Sequence, residues 1–152
     1  MKLELWKQFI LALWFLYASY SFYQGYIQCR YKRNPVGYTF RYYPLGAFVW
    51  GDAFILGVFW MIVTSSIFIL NDWVLFLLIY SIFWVVRGIG ETIYWIGQQF
   101  SHKIRHPHTR LPGQYLFGDD SIWFVYQVVA QCIAIVATIS SLYFARLWLT
   151  ML

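Results

Sequence analysis

Between Leu45 and Gln98 the chain is almost continuously apolar, broken only by the pair Asn71-Asp72 and carrying only four charges. A helical run of about 26 residues, at about 1.5 Å per residue, crosses a hydrocarbon core of about 30 Å with some tilt. Two such runs joined by two residues predict a tight transmembrane hairpin. Asp72 is placed to cap the second helix.

Two further apolar runs flank this hairpin. The expected fold is therefore all-α: a single polytopic transmembrane domain over residues 1–152, a four-transmembrane-helix bundle with short loops. Its helices are expected at about 6–26, 45–70, 73–98 and 121–142. The cytoplasmic loops are expected at about 27–44 and 99–120. The first run is bulky and aromatic, and no small-x-small cleavage site follows it. It reads as a retained helix and not as a signal peptide.

Composition agrees. Of 152 residues, 61% are hydrophobic and 11% charged, where soluble domains carry about 25% charge. The aromatic share is 24%, with many Trp and Tyr near the ends of apolar runs, at the expected headgroup level. The net charge of +5 lies in short loops between apolar segments. This makes anionic lipid headgroups at the cytoplasmic loops, and not nucleic acid, the expected partner. Arg30, Lys32, Arg33, Arg41, Lys103, Arg105 and Arg110 fall in the two loops, against Lys2, Lys7 and Arg146 on the other side. The positive-inside rule then places a multi-pass protein in the cell membrane with both termini outside.

The spacings Ala47/Gly51 and Ala53/Gly57 read as helix-packing faces. Asn34-Pro35-Val36-Gly37 reads as a turn, and Pro44 as the first turn of the second helix. Asp120 or Ser121 is expected to cap the last helix. Cys29 and Cys132 imply no disulfide framework and fit no C-x-x-C pattern.

Three charges are expected inside spans: Asp52, Arg87 and Glu91. Each costs about 2.5–3.5 kcal/mol alone at a helix centre, so partners are required. Counted from the cytoplasmic end, Asp52 and Glu91 lie at similar depth to Gln127, with Arg87 and Gln131 about one turn deeper. Gln24 and Tyr20 of the first helix fall in the same third of the membrane. On the third helix Tyr80, Trp84, Arg87, Glu91, Tyr94 and Gln98 follow helical spacing. On the fourth, Gln127 and Gln131 lie beside the small residues Ala130, Ala134, Ala137, Ser141 and Ala145. The expected site is thus a buried polar cluster of Asp52, Arg87, Glu91, Gln127, Gln131 and Gln24. An Asp–Arg–Glu triad within it has Arg87 and Glu91 at i,i+4. Its role is open between fixing helix register and forming a cavity that binds a proton, a cation or a headgroup.

A second candidate is the loop with His102, Arg105, His106 and His108. His102 and His106 are one turn apart, but no Glu stands where a zinc protease needs it, so no metal is expected. Arg105-His106-Pro107 resembles the Arg-His-Pro tripeptide of the isoprenylcysteine carboxyl methyltransferase-like membrane enzymes, which would imply S-adenosylmethionine binding. The resemblance covers three residues. The following stretch lacks the Tyr and Gly of the family's spacing and no paired glutamates come later, so no site residue is carried over and the cofactor stays unknown. There is no phosphate loop, dinucleotide fingerprint or G-x-S-x-G elbow.

The leading functional expectation is a small integral membrane component, a homo-oligomer or the subunit of a partner membrane protein, built around the polar cluster. The alternatives are a membrane-embedded enzyme acting on lipid or prenyl headgroups, with Glu91 as base, and a small proton- or ion-coupled transporter.

Overall fold

The structure, a computed structural model, describes residues 3–100, 111, 113–117 and 119–151. Among the described residues every regular element is helical: α1 (Leu5–Arg30), α2 (Trp50–Leu70), α3 (Trp73–Phe100), the short α4 (Gln114–Phe117) and α5 (Ser121–Leu149), with a 3-10 turn at Tyr43–Leu45 before α2. The helices α2, α3 and α5 are long and apolar enough to cross a membrane. That makes three where the sequence led us to expect four. The shortfall lies in α1, which has 26 residues but carries Tyr17, Ser19, Tyr20, Ser21, Tyr23, Gln24 and Tyr26 from its midpoint onward. Those hydroxyls and amides dilute its apolar character without shortening it.

By internal packing the chain divides into two compact units, Met1–Leu77 and Leu78–Leu152. The boundary falls within α3.

In the first unit α1 and α2 pack antiparallel. An ideal Cβ on Gly25 would sit 2.5 Å from Phe54 N, and one on Gly57 would sit 2.7 Å from Phe22 N. Ser21 Oγ donates to Ala53 O at 3.1 Å. Further along, Trp14 meets Trp60 edge to face with centroids 5.7 Å apart, and Trp6 meets Trp73 at 5.8 Å. The buried positions Leu11, Ala18, Ser21 and Gly25 of α1 oppose Ala53, Gly57, Trp60, Thr64 and Ile67 of α2. Where side chains are this small the backbones close up, as small-residue helix faces allow. The Ala53/Gly57 face is as expected. Ala47/Gly51 is not a helix face, because α2 begins only at Trp50.

That late start has a local cause. Gly46 is left-handed at φ 76° and turns the chain out of the 3-10 turn, which holds Pro44 in its own first turn. The loop 31–49 then folds back over the end of α2. Trp50 N–H donates to Gly37 O at 3.1 Å and Gly51 N–H to Pro35 O at 2.8 Å, while Asp52 Oδ2 accepts Phe48 N–H at 3.2 Å. The orphan donors of the first helical turn are thereby met by loop carbonyls and not by a side-chain cap. The expected turn is present, with Gly37 N–H on Asn34 O at 3.3 Å. Arg33 is left-handed at φ 49°, a conformation costing a non-glycine residue about 1–2 kcal/mol.

At its far end α2 stops on Asn71, left-handed at φ 54° with its N–H on Ile67 O, a role Asn tolerates. Asp72 Oδ1 accepts Leu75 N–H at 2.9 Å, so the two-residue connection and its cap are as the sequence implies.

In the second unit α3 and α5 run antiparallel. An ideal Cβ on Gly88 would stand 2.9 Å from Ala134 Cβ and 3.0 Å from Ala130 O. The Trp95 and Tyr126 rings meet at a tilt of 32° with centroids 4.8 Å apart. The bond at the start of α5 comes from Asp119, whose Oδ1 accepts Ser121 N–H at 2.9 Å, and not from Asp120 or Ser121. Asp120 already has helical dihedrals, φ −65° and ψ −12°, whereas a capping side chain needs an extended backbone.

Candidate functional site

The second unit holds most of the expected polar cluster. On α3 the buried stripe is Ser81, Trp84, Gly88, Trp95 and Gln98, and Glu91 completes its three-to-four spacing. Arg87 Nη2 lies 3.0 Å from Glu91 Oε1, with the two side chains 23% and 18% exposed. The other carboxylate oxygen accepts Trp95 Nε1–H at 3.1 Å. Arg before Glu is the weaker order for an i,i+4 pair, and the indole adds a second donor on the same face. In an apolar surrounding a carboxylate needs that satisfaction.

One turn further, Gln99 Nε2 donates to Gln127 Oε1 at 2.7 Å and to Trp95 O at 3.2 Å. This amide pair ties α3 to α5 beside the Trp95–Tyr126 ring contact. Gln131, one turn on from Gln127, is half-buried. The expected Arg87–Glu91 and Gln127 positions therefore sit on one continuous run of polar contacts.

Sequence reasoning missed two members of that run. Trp95 is absent from the expected cluster, although it lies at i+4 from Glu91 and carries an N–H donor. Gln99 was assigned to the loop, whereas α3 continues to Phe100. Of the expected stripe of Tyr80, Trp84, Arg87, Glu91, Tyr94 and Gln98, Trp84 and Gln98 are buried and the other four half-buried.

The first unit holds Asp52 and Gln24. Asp52 is the third residue of α2 and its carboxylate accepts Phe48 N–H, so it stands in the helix's first turn, where the expected start at Leu45 would have put it about two turns in. Gln24 Nε2 donates to Tyr20 OH at 3.1 Å. Beside them Tyr42 is buried, with Tyr17 and Tyr20 rings at 5.6 and 6.3 Å, and Tyr17 OH donates to Arg41 O. Burial, reinforced by the neighbouring phenols of Tyr20 and Tyr17, pushes Tyr42 up to about 12. It stays a neutral phenol at physiological pH. At the opposite end of α1, hydrogen bonds from Lys7 and then Trp6 hold the Glu4 carboxyl below its usual value.

His102, Arg105, His106 and His108 lie outside the described residues, as does the Arg105-His106-Pro107 tripeptide. Among the described residues no group of three His, Cys, Asp or Glu is placed to hold a metal ion. No known protein family, curated protein or solved structure matches the chain.

Proposed function

We propose that the chain is an integral membrane protein of four crossings, α1 included, whose interior polar side chains set helix register. On this reading it works as a component of a larger membrane assembly, formed with its own copies or with a partner membrane protein. The observation that carries the architectural role is the closure of the polar residues on one another. Arg87, Glu91 and Trp95 form one contact run, and Gln99 and Gln127 join α3 to α5. Side chains spent in this way fix the phase of neighbouring helices, the best-attested use of polar groups in an apolar interface.

The fourth crossing is supported by the length of the α1–α2 contact, which runs from Gly25 and Phe54 at one end to Trp14 and Trp60 further along. A helix packed along a spanning neighbour for that distance crosses with it. The hydroxyls of Tyr17, Ser19 and Ser21 and the amide of Gln24 all have acceptors, which lowers the cost of placing them in lipid. The Lys/Arg asymmetry supports the orientation, with both termini outside.

Native mass spectrometry of the chain, extracted gently from its own membrane, tests the assembly. A discrete homo-oligomer or a stoichiometric protein partner is expected. A monomer carrying one specific small molecule would overturn the reading in favour of an enzyme.

A further inference from the structure

The loop 31–49 does more than join two helices. Its backbone is held on the end of α2 by the Pro35 and Gly37 carbonyls and by Phe48 N–H, which donates to Asp52, while Phe48 O closes the loop on Thr39 N–H. Thr39, Tyr42, Leu45 and Ala47 are buried beneath it. What it turns outward is cationic and apolar in alternation. Arg30, Lys32, Arg33 and Arg41 are all exposed, and between them stand Tyr31 at 72%, Val36 at 66% and Phe40 at 49% exposure. From residue 30 to residue 52 the sole acid is Asp52, and its carboxylate is engaged by Phe48 N–H. Among the described residues none of the four cations has an ion-pair partner.

Arg33 sharpens the point. Its left-handed backbone favours Gly or Asn, so the turn itself gives no reason for an arginine there. Backbone strain of this kind, held in place by the surrounding structure, points to a use for the side chain.

We infer that this cap is a binding surface for the anionic headgroups of phospholipids; the inference rests on the membrane reading above. The cations meet lipid phosphates while Tyr31, Val36 and Phe40 enter the boundary between headgroup and acyl chain, the depth at which amphipathic rings settle. A soluble anion would engage the same cations but would leave those apolar side chains in water, so the alternation favours a lipid.

The test uses the full chain in a neutral detergent with equal amounts of phosphatidylglycerol and phosphatidylcholine, read by native mass spectrometry. Retention of phosphatidylglycerol over phosphatidylcholine is expected. Arg33→Gly should reduce that preference about fivefold, the equivalent of about 1 kcal/mol per cation near anionic lipid. The same variant should melt no lower than the parent, because glycine relieves the left-handed strain. Replacing Arg30, Lys32, Arg33 and Arg41 together by Gln should abolish the preference, and millimolar glycerol phosphate should leave it intact. Equal retention of the two lipids, a preference that survives the fourfold variant, or competition by glycerol phosphate would each overturn the inference. Release of the chain from its membrane by alkaline carbonate is a separate outcome. It would sink the membrane reading itself.

Discussion

Glu91 is held from two sides by groups that do different work. Arg87 supplies the countercharge at 3.0 Å and Trp95 a neutral donor at 3.1 Å. Glu91→Gln keeps an acceptor for the indole but removes the charge that faces the guanidinium at 3.0 Å. Removing one partner of a fully buried pair costs about 3–5 kcal/mol; with both side chains partly exposed, about 1–3 kcal/mol is expected. Arg87→Gln in the same background should recover part of that loss, so thermal unfolding in mild detergent should give a non-additive double-mutant cycle. Strict additivity would mean the pair is not coupled. The i,i+4 spacing made this pair legible in the sequence. Trp95 was not, because hydropathy sorts every tryptophan near a helix end into the interfacial belt, and its donor role emerges only once the phase of α3 is known. Asp52 was misplaced because Pro44 was read as the start of α2, whereas left-handed Gly46 delays that start to Trp50.

Among the elements, the two close helix approaches depend on glycines with no room for a side chain. Gly25→Ala would place a methyl 2.5 Å from Phe54 N, against backbone that has no rotamer with which to yield. A loss of about 1–3 kcal/mol is expected. Gly90, within α3, has nothing within 4 Å of an added Cβ, so Gly90→Ala should stabilise by about 0.5–1 kcal/mol through helix entropy alone. Melting temperatures of the two variants should therefore move in opposite directions; a shift of both the same way would contradict the packing described. The α2 side of this contact was readable as Ala53/Gly57. Its α1 side, Ser21 and Gly25, is hidden among the tyrosines and glutamines of that half of the helix. The loop cap on α2 was equally hidden, since backbone carbonyls acting as caps leave no residue-type signature.

For the whole molecule, the helical class and the apolar spans were legible from run length alone, because lipid permits a spanning segment to satisfy its backbone in few ways. The status of α1 was less so, since its tyrosines, serines and glutamines dilute the apolar run that marks the other three helices. Only its packing along α2 supplies the argument for a crossing. Single cysteines introduced at Leu5, Val36 and Leu149, with Cys29 and Cys132 replaced, can be probed by an impermeant thiol reagent in whole cells and in inverted membrane vesicles. Labelling of positions 5 and 149 from the outer face and of position 36 from the inner face alone is the result a four-crossing protein requires. Labelling of positions 5 and 36 from the same face would show that α1 does not cross, and the account would fail at its centre.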